Sequence, residues 1–275
     1  MLEKDICYEL LSAYAETDAS LKAQITRQIA ESLKSGAFNS VKHLAVPLRP
    51  GRPAQPELRP PKDMPRRRIN SAPAGRIALI HAIAHIELNA IDLALDMILR
   101  FSDRQLPFDY VRDWMGVADD EARHFLMLND RLQELDSFYG ALPAHDGLWQ
   151  AAEETAHDLL ARLAITPLVL EARGLDITPQ LIDKMKKIGD TKTADCFAII
   201  MEDEIGHVRV GKNWFDYECG RLRQDPISSW QKAVNTYFHG SLKPPFNIEA
   251  RDAARFSAAF YQPLATPEKQ ITKNI

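Results

Sequence analysis

Apolar side chains recur at three- and four-residue spacing along most of this chain, which puts them on one face of an α-helix. Leu10, Leu11, Tyr14, Leu21, Ile25, Ile29 and Leu33 follow that spacing and predict helix over 3–35, with a break at Gly36. Four long helical segments are predicted further on. The first covers about 73–101, with Ser71 and Pro73 as start signals. The second runs from about 107 to 138 and ends near Gly140, and the third covers about 147–173 and stops at Gly174. Thr178 and Pro179 then open a short helix to Ile188, and the fourth long helix runs from about 191 to 219. Beyond 226, Trp230, Tyr237, Phe246, Phe256 and Phe260 predict short helices packed on the outside. Alternating β patterns are missing and only eight valines occur, so the predicted class is all-α.

Two stretches break the pattern. Residues 47–65 hold seven of the 17 prolines, a density that forbids helix and favours an extended strap. Residues 76–101 are apolar nearly all round, yet they carry His81, His85, Glu87, Asp92 and Asp96. That many ionisable groups do not suit lipid, so the segment belongs at the centre of a bundle. The expected organisation is a helical N-terminal extension (1–46), a Pro/Arg-rich strap (47–70), a four-helix bundle (71–225) and a C-terminal extension packing on it (226–275).

Composition adds limits. The chain has 275 residues, 34 Lys plus Arg and 38 Asp plus Glu, for a net charge of −4. This balance excludes general electrostatic attraction to nucleic acid or an anionic membrane. Arg66, Arg67 and Arg68 form one local basic run, read as a solvated anchor rather than an RNA-binding patch. Cys7, Cys196 and Cys219 match neither zinc spacing nor a disulfide framework and point to a reducing cytoplasm. The first residues lack the basic and apolar pattern of a signal peptide.

The chemistry lies in the ionisable residues inside the helices. Three of the eight histidines follow a Glu by three positions: Glu121/His124, Glu154/His157 and Glu204/His207. Such a pair shares a helix face with roughly 4.5 Å of axial rise, so both side chains can reach one ion. Glu87 precedes Glu121 by 34 residues, and Glu171 precedes Glu204 by 33. A unit of lone Glu followed by Glu-x-x-His therefore repeats, offset by 84 residues in its first element and 83 in its second. One Glu from each of two helices and Glu-x-x-His from each of two others is the donor set of ferritin-like dinuclear carboxylate bundles.

Charge explains the residue types. Four facing carboxylates could not all stay ionised in a dry interior, whereas two divalent cations offset four negative charges. Oxygen and imidazole donors suit iron, with manganese using the same set, and the lack of thiolate argues against a soft metal or structural zinc. Asp120 and Asp203 each precede a proposed ligand, in DEARH and DEIGH, and each is expected to reach the N–H of the histidine on the opposite helix.

Other residues read as structural. His157 stands 14 positions from Glu171, about 21 Å along a helix, so the two cannot serve one metal pair. The repeat favours Glu171 and leaves His157 as a hydrogen-bonded core histidine. His81 and His85 are also read as core, since no Glu or Cys completes a zinc motif. Pro167, one turn before Glu171, predicts a kink or bulge. Tyr110 and Trp114 share the face of Glu121 and are read as packing.

DEARH and DEIGH, with Glu87 and Glu171, resemble the ferritin-like di-iron carboxylate proteins over about 73–219. More narrowly, HIELNAIDLALD (85–96), EARHF (121–125), PAHDGLW (143–149), HDLLARLA (157–164), EARGLD (171–176) and EIGHV (204–208) resemble an uncharacterised bacterial family known only as a ferritin-like domain of unknown function. The resemblance implies the fold and the metal site but no established reaction. EAR at 171–173 is also similar to the third-helix Glu of the di-iron tRNA hydroxylases, which supports Glu171 as a ligand.

Three functions remain open on the residues alone. One is an oxygen-dependent oxidoreductase or hydroxylase using two metal ions, dioxygen, a small-molecule substrate and an external electron donor. A tRNA-modifying hydroxylase is its special case, with the arginine run near the pocket mouth. The second is a metal-storing or peroxide-disposing protein, although no Cys-x-x-Cys module is present. The third is a helical scaffold with a vestigial site.

Overall fold

The computed structural model describes residues 4–64 and 72–266. Arg66, Arg67 and Arg68 lie outside the described residues, as do Pro65 and Ser71. Among the described residues there is no strand, only three isolated bridges, so the chain is all-α as the periodicity predicts. It divides into two compact units, Met1–Ala156 with Leu181–Ile200, and His157–Gln180 with Met201–Ile275.

The first unit opens with α1 (Cys7–Ala15) and α2 (Ala19–Lys34), where one continuous helix was expected. The break is chemical. The Glu16 carboxylate accepts the backbone N–H groups of Thr17 and Asp18, at 2.6 and 2.8 Å, and Asp18 then caps α2 by accepting from Leu21 N at 2.8 Å. Helix α3 (Pro73–Arg100) starts on a proline whose missing N–H costs nothing there, with Ala72 rather than Ser71 as its N-cap. Helix α4 (Phe108–Gln133) ends one turn earlier than predicted, and α5 (Gly147–Glu154) closes the sequence-continuous part. Helix α3 is long and apolar enough to cross a membrane by composition, but 72% of its apolar window is buried inside the protein. Its hydrophobicity is that of a core helix.

Over its described residues, 47–64, the strap is extended apart from a short 3₁₀ turn at Pro61–Asp63, and it is tied down by hydrogen bonds. Tyr14 Oη and Arg100 Nη2 donate to Pro47 O at 3.3 and 2.8 Å, and Trp149 Nε1 donates to Leu48 O at 3.2 Å. Gly51 lies so close to α1 that a Cβ there would stand 2.0 Å from Ala15 O, which no side chain survives. Further along, Arg59 N donates to Ala144 O and Ala144 N to Glu57 O, at 2.8 and 3.0 Å.

The second unit contains α6 (Leu159–Ile165), a π-helical stretch Thr166–Glu171, most of α7 (Ala172–Lys187) and α8 (Thr191–Leu222), then α9 (Pro226–Tyr237), α10 (Ile248–Ala253) and α11 (Ala258–Tyr261). The predicted third helix is therefore two helices, α5 and α6, parted where Asp158 caps α6 through Leu160 N and Ala161 N. The helix also fails to stop at Gly174 and runs on through Pro179. Pro179 cannot donate to Leu175 O, and Asn247 Nδ2 fills that acceptor at 3.1 Å. Trp230, Phe256, Phe260 and Tyr261 are buried and form this unit's core, with Trp230 Nε1 donating to Ala164 O at 3.2 Å.

Candidate metal centre

Helix α3 carries Glu87 into the interior of the first unit, and α4 brings Glu121 and His124 to it on one face. All three are buried, at 2%, 0% and 0% exposure. His124 Nδ1 lies 3.2 Å from a Glu87 carboxylate oxygen and 3.5 Å from one of Glu121. One ligand atom from each of the three falls within 4.8 Å of the others, a spacing one cation can span. Burial holds the Glu87 carboxyl well above the ordinary range, the negative charge of Glu121 pushes it the same way, and the hydrogen bond to His124 only partly opposes them. The pair can remain anionic here only beside a positive charge. A divalent cation on two carboxylates and an imidazole supplies that charge and suits hard oxygen and nitrogen donors.

In the second unit, α8 presents Glu204 and His207, both buried, with His207 Nδ1 3.8 Å from a Glu204 oxygen. Glu171 is half-buried and is the last residue of the π stretch. The expected distortion at Pro167 is this π stretch. Lacking an N–H and clashing with the preceding turn, the proline shifts the local hydrogen bonds, a feature frequent at functional positions. Its ring seats against Gly211, one turn beyond His207: a Cβ on Gly211 would lie 2.3 Å from Pro167 Cβ and 2.4 Å from Cγ. A glycine there lets the backbone of α8 close on the π stretch that carries Glu171.

Asp120 is half-buried and pairs with Arg123 on its own helix at 3.1 Å, and Asp203 is half-buried on α8. Glu154 ends α5 and His157 lies past that end, and both are exposed. His157 is therefore not the core histidine expected; its ring meets Tyr237 Oη at 3.3 Å. The helix that would have buried it is interrupted at 155–158. His81 and His85 are buried, as read. Burial, reinforced by the charge of Arg52, pushes the His85 pKa down to about 3, so the ring is a neutral hydrogen-bonding group. Tyr110 is a packing residue whose hydroxyl donates to Met97 O at 3.1 Å.

A buried charge cluster escaped the sequence reading. Lys22 Nζ donates to Asp92 and to Gly51 O and Tyr14 O at 2.8 and 3.2 Å, while Arg52 approaches the other Asp92 oxygen at 3.1 Å and donates to Asn89 at 2.8 Å. The signal was Asp92 and Asp96 standing in an apolar helix. Their partners lie 70 and 40 residues away for Asp92, too far for any local pattern to show.

A family described as "Protein of unknown function (DUF455)" matches residues 15–262. An "Uncharacterized protein" of Haemophilus influenzae is 40% identical over 210 residues, which is 74% of this chain and 73% of that protein. No solved structure matches.

Proposed function

The chain belongs to the DUF455 family of unknown function, and from that premise we propose that it is a dinuclear metal carboxylate protein on a ferritin-like four-helix bundle. In this reading Glu87, Glu121, His124, Glu171, Glu204 and His207 would be the ligands of a pair of divalent cations. Iron is the first choice and manganese the second. The observation that carries it is the buried triad of Glu87, Glu121 and His124, whose ligand atoms fall within 4.8 Å of one another.

When bound, two ferrous ions supply electrons and open coordination positions for dioxygen, so the function best suited to this donor set is oxygen-dependent oxidation of a small molecule. The protein's own groups do the rest. Glu87 and Glu121 supply negative charge in a place closed to bulk water, and His124 is held between them through Nδ1. Asp120 and Asp203 are assigned to the outer N–H groups of the histidines, which would set their tautomers. Three free cysteines, none in a disulfide, fit a cytoplasmic protein.

The test is reconstitution of metal-free protein with ferrous iron under nitrogen, followed by elemental analysis and then admission of oxygen. Two ions per chain and a stoichiometric oxidised product support the reading. Glu121→Ala and Glu204→Ala should each fall well below the parent's occupancy, and parental occupancy in both defeats the assignment. Uptake of many ions per chain would favour storage over turnover.

A further inference from the structure

The first unit contains a cavity of about 390 Å³, distinct from the carboxylate cluster. One wall is the start of α3, where Ala74, Ala78 and Ala82 repeat every four residues beside Gly75. Buried positions elsewhere on the same helix mix large residues, among them Leu79, Ile80, Leu88, Ile91 and Leu95, with Ala84, Ala90 and Ala94. Interiors normally leave few voids bigger than a water molecule. The run of small residues Ala74, Gly75, Ala78 and Ala82 along the bordering face keeps it open, and its volume falls in the range of about 300–1,000 Å³ for ligand sites.

The opposite wall is the loop carrying Leu142, Pro143, His145 and Leu148, and that loop is held rigidly. Gly140 N–H donates to His81 Nε2 at 2.9 Å, and His85 Nε2 donates to His145 O at 3.1 Å. Gly147 N–H bonds His145 Nδ1 at 3.3 Å, and the strap pairs with Ala144 from outside. Tyr139 stacks on His81 and His85, ring centroids 5.3 and 6.1 Å apart, and its hydroxyl bonds His85 Nδ1 at 2.8 Å. The cavity is thus preformed, and among the described residues its only ionisable lining groups are the imidazoles of His81, His85 and His145. Among the described residues no Asp, Glu, Lys or Arg lines it, so these residues offer a charged ligand no counter-charge for the hydration it would lose.

We propose that this cavity binds an uncharged aromatic small molecule, its ring set between the alanine face of α3 and the imidazole and proline side chains opposite. The site is independent of the metal assignment: two residues along a helix is about 200° of rotation, so Glu87 faces away from the His85 side. The probe is 2-naphthol, titrated into the full chain by calorimetry and by amide chemical shifts, with 2-naphthoate as its charged counterpart. The parent should saturate at one site per chain, with shifts centred on 74–86 and 142–148. Ala82→Leu, which fills the cavity, should weaken binding at least tenfold while leaving helical content unchanged. Ala78→Leu makes the same test from one turn away if the first variant folds poorly. 2-Naphthoate should bind at least tenfold more weakly than 2-naphthol. A titration that does not saturate, shifts centred elsewhere, parental binding by the filled variants, or equal binding of the carboxylate would each overturn the proposal.

Discussion

Replacing Lys22 with Met tests whether the charge cluster beneath the strap is truly sealed from water. Lys22 and Asp92 are 1% and 0% exposed. Burial lowers the Lys22 pKa although Asp92 pulls it upward, and burial raises the Asp92 pKa although Lys22 and Arg52 pull it downward. Both shifts favour the neutral form, so desolvation outweighs the mutual attraction, as expected for ion pairs in a dry interior. Removing the lysine alone leaves the carboxylate with Arg52 at 3.1 Å and takes the donor from Gly51 O. Breaking a buried pair in this way costs about 3–5 kcal/mol. At about 2–4 °C per kcal/mol for a chain of this size class, the melting point should fall on the order of 10 °C. Scanning calorimetry on the parent, Lys22→Met and Lys22→Met with Asp92→Asn measures it, and the second change should recover part of the loss by removing a buried carboxylate that has lost one of its two cationic partners. A loss under about 1 kcal/mol, the range of exposed pairs, or a double variant no better than the single one, would refute the burial argument.

Three further outcomes follow from contacts in the same structure. Gly211→Ala should destabilise by about 1–3 kcal/mol through overpacking against the Pro167 ring, and adding Pro167→Ala should relieve it; additive melting shifts would show the two do not touch. Arg251, buried and forked onto Asp176 at 2.8 and 2.9 Å beneath Tyr261, should not tolerate Lys. Arg251→Lys keeps the charge but loses the fork and the stacking, on the order of 2 kcal/mol, and an unchanged melting point would contradict that. Burial alone would raise the Asp190 carboxyl, but Thr193 N–H, Arg131 and Arg76 outweigh it and hold its pKa below the ordinary value. A depressed carboxylate stabilises the fold above its unfolded pKa and loses that contribution as pH falls through the folded one. Asp190→Asn should therefore be less stable at neutral pH and show a smaller acid-side loss, and parallel stability–pH curves would refute it.

The reach of local information is visible in particular residues. The helical periods of α3, α4 and α8, the proline strap, the distortion at Pro167 and the Glu-x-x-His pairs are all set within a few neighbouring positions. Each was legible for that reason. The break at Glu16–Asp18 was not read, because the apolar spacing continues across it. Glu154 and His157 share the spacing of the other two pairs and were set aside by the repeat; that they flank a helix end was not legible, because spacing cannot tell a helix from the end of one.

Sequence alone determined which segments coil and which donor types stand three residues apart. Those properties are governed by backbone hydrogen bonding and side-chain period over one or two turns. Only the folded molecule decided which polar groups lose their water. Asn247 lets α7 pass through Pro179, Lys22 meets Asp92 across 70 residues, and the alanine face of α3 borders an open cavity rather than a neighbouring side chain. Burial is a property of what covers a residue, and the covering segment is usually far away along the chain.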